Sequence, residues 1–258
     1  MTTVTTTSGQ AVDFIDHGGD GPALVLLHSF LMDGSMFSPQ VTTFGSTYRC
    51  ITIDERGHGN TPLAGDFSFW DVARDVVTVL DYLGIDTASL VGTSQGGFVA
   101  LRVALLAPER VRSVVAVGTS ASSEEPAVAA TYRQIADTWA KQGPVEPLLD
   151  TVAHLCLGEA DATDWKAKWR GISGEHLAAI LKPLVGRDDI VGRLGEIHAP
   201  VLVLHGDADA AYPPEKAEQI VEHLPNARLT IVPEGAHFLS LTHPNPVNAS
   251  LVTFLKLS

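Results

Sequence analysis

One stretch constrains this chain more than any other: residues 89–97, Ser-Leu-Val-Gly-Thr-Ser-Gln-Gly-Gly. A short apolar run stops at a serine fenced by glycines, and a helix-type pattern starts immediately afterwards. The spacing Gly92-Thr93-Ser94-Gln95-Gly96 predicts a strand, a sharp turn and a helix. Such a turn exposes Ser94 by forcing the backbone into a cramped conformation, so residues without bulk are needed at 92 and 96. Gly97 lets the following helix sit close to the sheet. The motif is short, and an ordinary strand-to-helix loop containing serine would spell the same letters; its meaning depends on the rest of the chain.

Other apolar runs behave the same way. Residues 23–28 follow Pro22 as a continuous apolar segment, the mark of a strand covered on both faces, and 50–54, 111–117, 200–204 and 227–232 add further strands. Residues 2–7 and 11–16, around Ser8-Gly9, read as an antiparallel hairpin. Between strands the period turns helical. Val72, Val76, Val79, Leu80 and Leu83 form one stripe, with Ser68 and Asp71 as a capping pair and Gly84 as the stop. Phe98, Leu101, Leu105 and Leu106 continue the serine turn into a helix that ends before Pro108. Two more helices are expected over 214–224 and after Pro246. Strands alternating with helices predict an α/β fold, with a mostly parallel sheet and helices on both faces.

The alternation lapses between residues 119 and 199. Helical patterns appear at 132–141 and 174–184, no strand is evident, and three of the four tryptophans, Trp139, Trp165 and Trp169, lie here. This reads as a helical cap of 119–199 inserted into a core made of 1–118 and 200–258. Composition excludes several roles. A net charge of −13 argues against a nucleic-acid surface, which needs clustered Lys and Arg, and no apolar run approaches a membrane span. Residues 1–10 have neither a basic start nor an apolar centre, so a cytoplasmic location is expected. Cys50 and Cys156 read as free packing thiols. No H-E-x-x-H or dense His/Asp cluster calls for a metal, and no cofactor is expected.

A serine nucleophile needs a base to take its proton, a carboxylate to orient that base, and N–H donors for the oxyanion. His205-Gly206-Asp207-Ala208-Asp209 follows one strand, and Gly235-Ala236-His237 follows the last. Both segments therefore belong at the same sheet edge as Ser94. His237 is the candidate base, and the acid is Asp207 or Asp209.

Taken together, Leu27-His28-Ser29-Phe30, Asp54-Glu55-Arg56-Gly57-His58-Gly59, the Ser94 segment, Pro108-Glu109-Arg110-Val111, the 205–209 segment and Gly235-Ala236-His237 resemble the α/β-hydrolase fold family. The resemblance spans nearly the whole chain and is similar in detail to enol-lactonase and esterase members. It implies the order nucleophile, acid, histidine and selects Asp209 as the acid, leaving Asp207 to hydrogen-bond its own loop. It also implies an oxyanion hole from the backbone N–H groups of Phe30 and Gln95, and makes His28, His58 and His205 structural loop residues. Ser29 stands where many relatives carry glycine, and Gly59-Asn60-Thr61 departs from the usual G-x-S.

The function expected on this resemblance is cofactor-free hydrolysis of a small carboxylic ester or lactone. Phe30, Gln95, Trp139, Trp165 and Phe238 would lie near the substrate. Alternatives on the same fold are a haloperoxidase-like perhydrolase, a C–C bond hydrolase and a ligand-sensing receptor. Oligomeric state is left open.

Overall fold

The computed structural model describes residues 1–257. Its centre is an eight-stranded sheet in the order β1-β2-β4-β3-β5-β6-β7-β8. The hairpin is β1 (Thr2–Thr5) and β2 (Ala11–Asp16); β3 (Ala23–Leu27), β4 (Arg49–Ile53), β5 (Ala88–Thr93), β6 (Val111–Val117), β7 (Val201–Gly206) and β8 (Ala227–Val232) follow. β1 and β2 pair antiparallel, as do β2 and β4, and every other pairing is parallel. β3, β5 and β7 are buried along their whole length, as their unbroken apolar runs require. β8, at the edge, is only partly covered.

The helices are α1 (Ser38–Phe44), α2 (Phe69–Tyr82), α3 (Gln95–Leu106), α4 (Pro126–Gln142), α5 (Glu146–Leu157), α6 (Thr163–Trp169), α7 (Gly174–Val185), α8 (Glu215–His223), α9 (Leu239–Thr242) and α10 (Pro244–Leu255). α2 opens with the expected capping box, Ser68 and Asp71 each accepting from the other's backbone N–H. In α3 every residue from Gln95 to Ala104 is buried. A helix apolar nearly all round belongs inside, and α3 lies against β3, β5, β6 and α2. Its one cation, Arg102, is buried too, stacked on Phe69 and Trp70 and paired with Asp188.

Parallel register sets the position of the site. Leu27 is level with Ile53 and Gly92, Thr93 with Val117, Val117 with Leu204, and Gly206 with Val232. The loops after β3, β5, β7 and β8 therefore leave the sheet along one rim, where open α/β sheets bind ligands. Between β6 and β7 the chain forms α4 to α7 and no strand. The sequence pattern delineates α4 and α7, which pack on each other. It leaves α5 and α6 undrawn. Pro147 sits in the first turn of α5, where its missing N–H costs nothing.

Candidate active site

Ser94 occupies the turn between β5 and α3 with φ 52° and ψ −110°, a region that costs a residue with a Cβ roughly 1–3 kcal/mol. The surroundings hold it there. Its N–H donates to the Val117 carbonyl at 2.8 Å, and its own carbonyl accepts from Thr119 Oγ1 at 2.7 Å. A Cβ on Gly92 would lie 2.1 Å from the Gly96 carbonyl oxygen, and one on Gly96 would lie 2.0 Å from that of Leu27. Both glycines are therefore steric requirements. The first turn of α3 presses directly on the end of β3, bringing the loop after His28 against the serine turn.

The acid and histidine loops meet by the same device. A Cβ on Gly206 would fall 2.0 Å from the Gly235 carbonyl oxygen, so the chains after β7 and β8 touch backbone to backbone. Ala208 N–H donates to Gly235 O across this contact. Asp207 does not bond within its own loop: Oδ1 accepts from Glu234 N–H at 2.6 Å and pins the histidine loop instead. Asp209 turns inward. Its Oδ1 accepts from the N–H groups of Ala211 and Tyr212, and its Oδ2 lies 2.8 Å from His237 Nδ1. His237 Nε2 is in turn 2.8 Å from Ser94 Oγ. This fixes the tautomer, with Nδ1–H donating to the carboxylate and Nε2 accepting from the hydroxyl. Burial opposes ionisation of Asp209, but the His237 imidazole and the Tyr212 N–H outweigh it and hold the carboxyl below its ordinary value.

The loop after β3 is braced from all sides. His28 Nδ1–H donates to the Ser29 carbonyl, and its Nε2 accepts from Glu55 N–H; burial keeps this imidazole neutral. Ser29 donates through Oγ to the Thr93 carbonyl at 3.0 Å and ties the loop to the residue before Ser94. Leu31 has φ 63°, and its carbonyl accepts from Trp169 Nε1 in α6 at 2.8 Å. The N–H groups of Phe30 and Gln95 have no acceptor among the described residues. Two free donors thus stand in the loop and at the helix start that flank Ser94.

Residues 22–244 match the family model described as alpha/beta hydrolase fold. The chain belongs to the α/β-hydrolase fold family. Its similarity extends to a pimeloyl-[acyl-carrier protein] methyl ester esterase of Aeromonas hydrophila, 30% identical over 247 residues that cover 89% of this chain and 94% of that protein. A thermophilic esterase from Thermogutta terrifontis superposes with a TM-score of 0.87 at 25% identity, covering 99% of this chain and 98% of that one. The enol-lactonase from Burkholderia xenovorans LB400 shares the fold, with a TM-score of 0.87 at 23% identity over 99% of this chain and all of that one.

In this α/β-hydrolase a small cavity of about 70 Å³ opens beside Ser94. Phe30, Trp139 and Phe238 line it. Trp165 does not. It stacks under Lys168 Nζ, 4.1 Å from its ring centroid, because α6 lies over the Asp33 and Ser35 side of the loop rather than over the serine. The Gln95 side chain also points away, donating to Glu55 Oε2 at 2.8 Å. Missed in sequence were, among others, Tyr132, Cys156, Leu181 and Tyr212, which also line the wall. Of these, Tyr212 had a legible signal, since it follows the acid by three residues. Burial pushes the Cys156 thiol up to about 12 and the Cys50 thiol to about 11, so neither offers a thiolate at neutral pH. Among the described residues no cluster of three or more His, Cys, Asp or Glu could hold a metal ion, and no helix is long and apolar enough to cross a membrane.

Proposed function

We propose that this enzyme hydrolyses a small carboxylic ester through an acyl-enzyme on Ser94, beneath a helical cap formed by residues 119–199. One observation carries the reading: the unbroken chain of 2.8 Å contacts from Ser94 Oγ through His237 to Asp209. In that chain His237 Nε2 takes the hydroxyl proton as Oγ bonds to the carbonyl carbon. The oxyanion forms within reach of the Phe30 and Gln95 N–H groups, each such donor contributing roughly 3 kcal/mol of transition-state stabilisation. His237 then returns the proton to the leaving oxygen as the carbon–oxygen bond breaks. Water repeats the sequence on the acyl-enzyme, its proton passing to His237 and then to Ser94 Oγ, so that acid and alcohol are the products.

The esterase names among the relatives agree with this chemistry. The test is a fluorophosphonate probe combined with steady-state turnover of p-nitrophenyl butyrate. Labelling and rapid multiple turnover that both vanish in Ser94→Ala are expected. Turnover unaffected by Ser94→Ala would overturn the proposal, and labelling without turnover would favour a receptor on the same fold.

A further inference from the structure

The wall of the cavity restricts which acyl group fits. No Lys, Arg, Asp or Glu lines it. Apart from Ser94 and His237, its polar side chains are those of Tyr132, Tyr212, Cys156 and Trp139, and the Trp139 Nε1–H is committed to the Ile172 carbonyl at 2.9 Å. The Tyr212 hydroxyl is committed, donating to Glu124 Oε2 at 2.9 Å. The cation nearest to that hydroxyl is committed as well: Arg187, with its side chain 1% exposed, pairs with the equally buried Glu124 at 2.8 Å and lies over the Phe98 ring. A substrate carboxylate entering the cavity would meet no free positive charge there.

Tyr132 differs from its neighbours. It projects from α4, and its hydroxyl has no hydrogen-bond partner among the described residues although its ring is packed against the core. Burial raises it above its ordinary value, so the hydroxyl keeps its proton and acts as a donor. With no acceptor among the described residues and a place in the wall of the cavity, this hydroxyl is available to donate to an oxygen on a ligand.

Size favours one half of an ester over the other. An apolar cavity that holds benzene measures about 150 Å³, roughly twice the 70 Å³ here, so the smaller, acyl half of an aryl ester is the better fit to it. We infer that this pocket selects short, uncharged acyl groups bearing one neutral oxygen acceptor, and that Tyr132 is the residue that recognises that oxygen. The inference rests on the acyl-enzyme reading above.

The test uses near-isosteric p-nitrophenyl esters in which an ether oxygen replaces a methylene: methoxyacetate against butyrate, and 3-methoxypropanoate against pentanoate. The kcat/KM ratio of ether to alkyl ester, compared between wild type and Tyr132→Phe, cancels the intrinsic reactivities of the esters. For at least one pair the ratio is expected to fall by about 3- to 10-fold in Tyr132→Phe, the worth of one hydrogen bond. The half-ester of glutaric acid is expected to react at least about 100-fold more slowly than pentanoate, since its carboxylate would be buried unpaired. Ratios that change less than twofold for both pairs, or a glutarate half-ester accepted as well as pentanoate, would overturn the inference. Either result with turnover that still depends on Ser94 sinks this inference alone; turnover that survives Ser94→Ala sinks the mechanism beneath it.

Discussion

Two aspartates two residues apart do different work because one faces the histidine ring and the other the histidine loop. Asp209 Oδ2 holds His237 Nδ1, whereas Asp207 Oδ1 holds the Glu234 N–H. Asp209→Asn is therefore expected to fold normally and lose about 10⁴-fold in kcat, because the amide favours the wrong imidazole tautomer. Asp207→Asn keeps an acceptor for Glu234 and should shift kcat by less than about tenfold; steady-state kinetics on the pair would show the reverse order if the acid were misassigned. Glu55 gives a second test at this scale. Its Oε2 accepts from Gln95, its Oε1 is buried with no partner, and burial raises its carboxyl to about 8, with Asp75 and Asp54 adding to the effect. A raised folded value means that the protonated form is favoured in the folded state. That contribution is complete below the ordinary value of about 4.5 and is lost as pH rises through 8. Melting temperatures of Glu55→Gln relative to wild type should therefore drift in favour of the variant between pH 4.5 and 8; a difference that stays flat across that window would show Glu55 ionised in the fold.

Besides their shared hydrophobic core, elements are joined at this site by a few buried polar contacts. Glu124 lies two residues before α4 and Arg187 two after α7, and their ion pair, with the Tyr212 hydroxyl donating to Glu124, fastens both ends of the α4–α7 segment to the loop after β7. Removing one partner of such a pair leaves a buried charge unmatched and costs about 3–5 kcal/mol, while replacing both with apolar groups is far closer to neutral. Denaturant unfolding should show Arg187→Met losing that much and Glu124→Leu combined with Arg187→Met recovering most of it; equal losses in the single and double variants would contradict the account. These contacts also mark where sequence reasoning stopped. β3 and β5 were legible because burial on both faces leaves an unbroken apolar run, and α2 because its stripe and capping box are local. The Glu124–Arg187 pair, the Tyr132 side of the cavity and the Trp169 bond to Leu31 join residues far apart in the chain, with no period and no motif to announce them. Trp165 was misplaced for the same reason: aromatic character predicts burial, not which face of a helix looks at the serine.

The molecule as a whole turns scattered residues into one site through parallel register. Because β3, β5, β6, β7 and β8 end level with one another, loops separated by more than a hundred residues leave the sheet at a common rim. Glycines at 92, 96, 206 and 235 then let those loops close to backbone contact. Residues of α4, α5 and α7 above the rim line a small, mainly apolar cavity beside Ser94, surroundings that in the proposed mechanism would strengthen the pull of the Phe30 and Gln95 N–H groups on a developing oxyanion. The most direct measurement is peptide mapping by mass spectrometry after acid quench of the enzyme turning over p-nitrophenyl butyrate. A butyryl adduct on Ser94, accumulating in wild type and missing from Ser94→Ala, is the predicted result. An adduct on another residue, or undiminished turnover in Ser94→Ala, would contradict it.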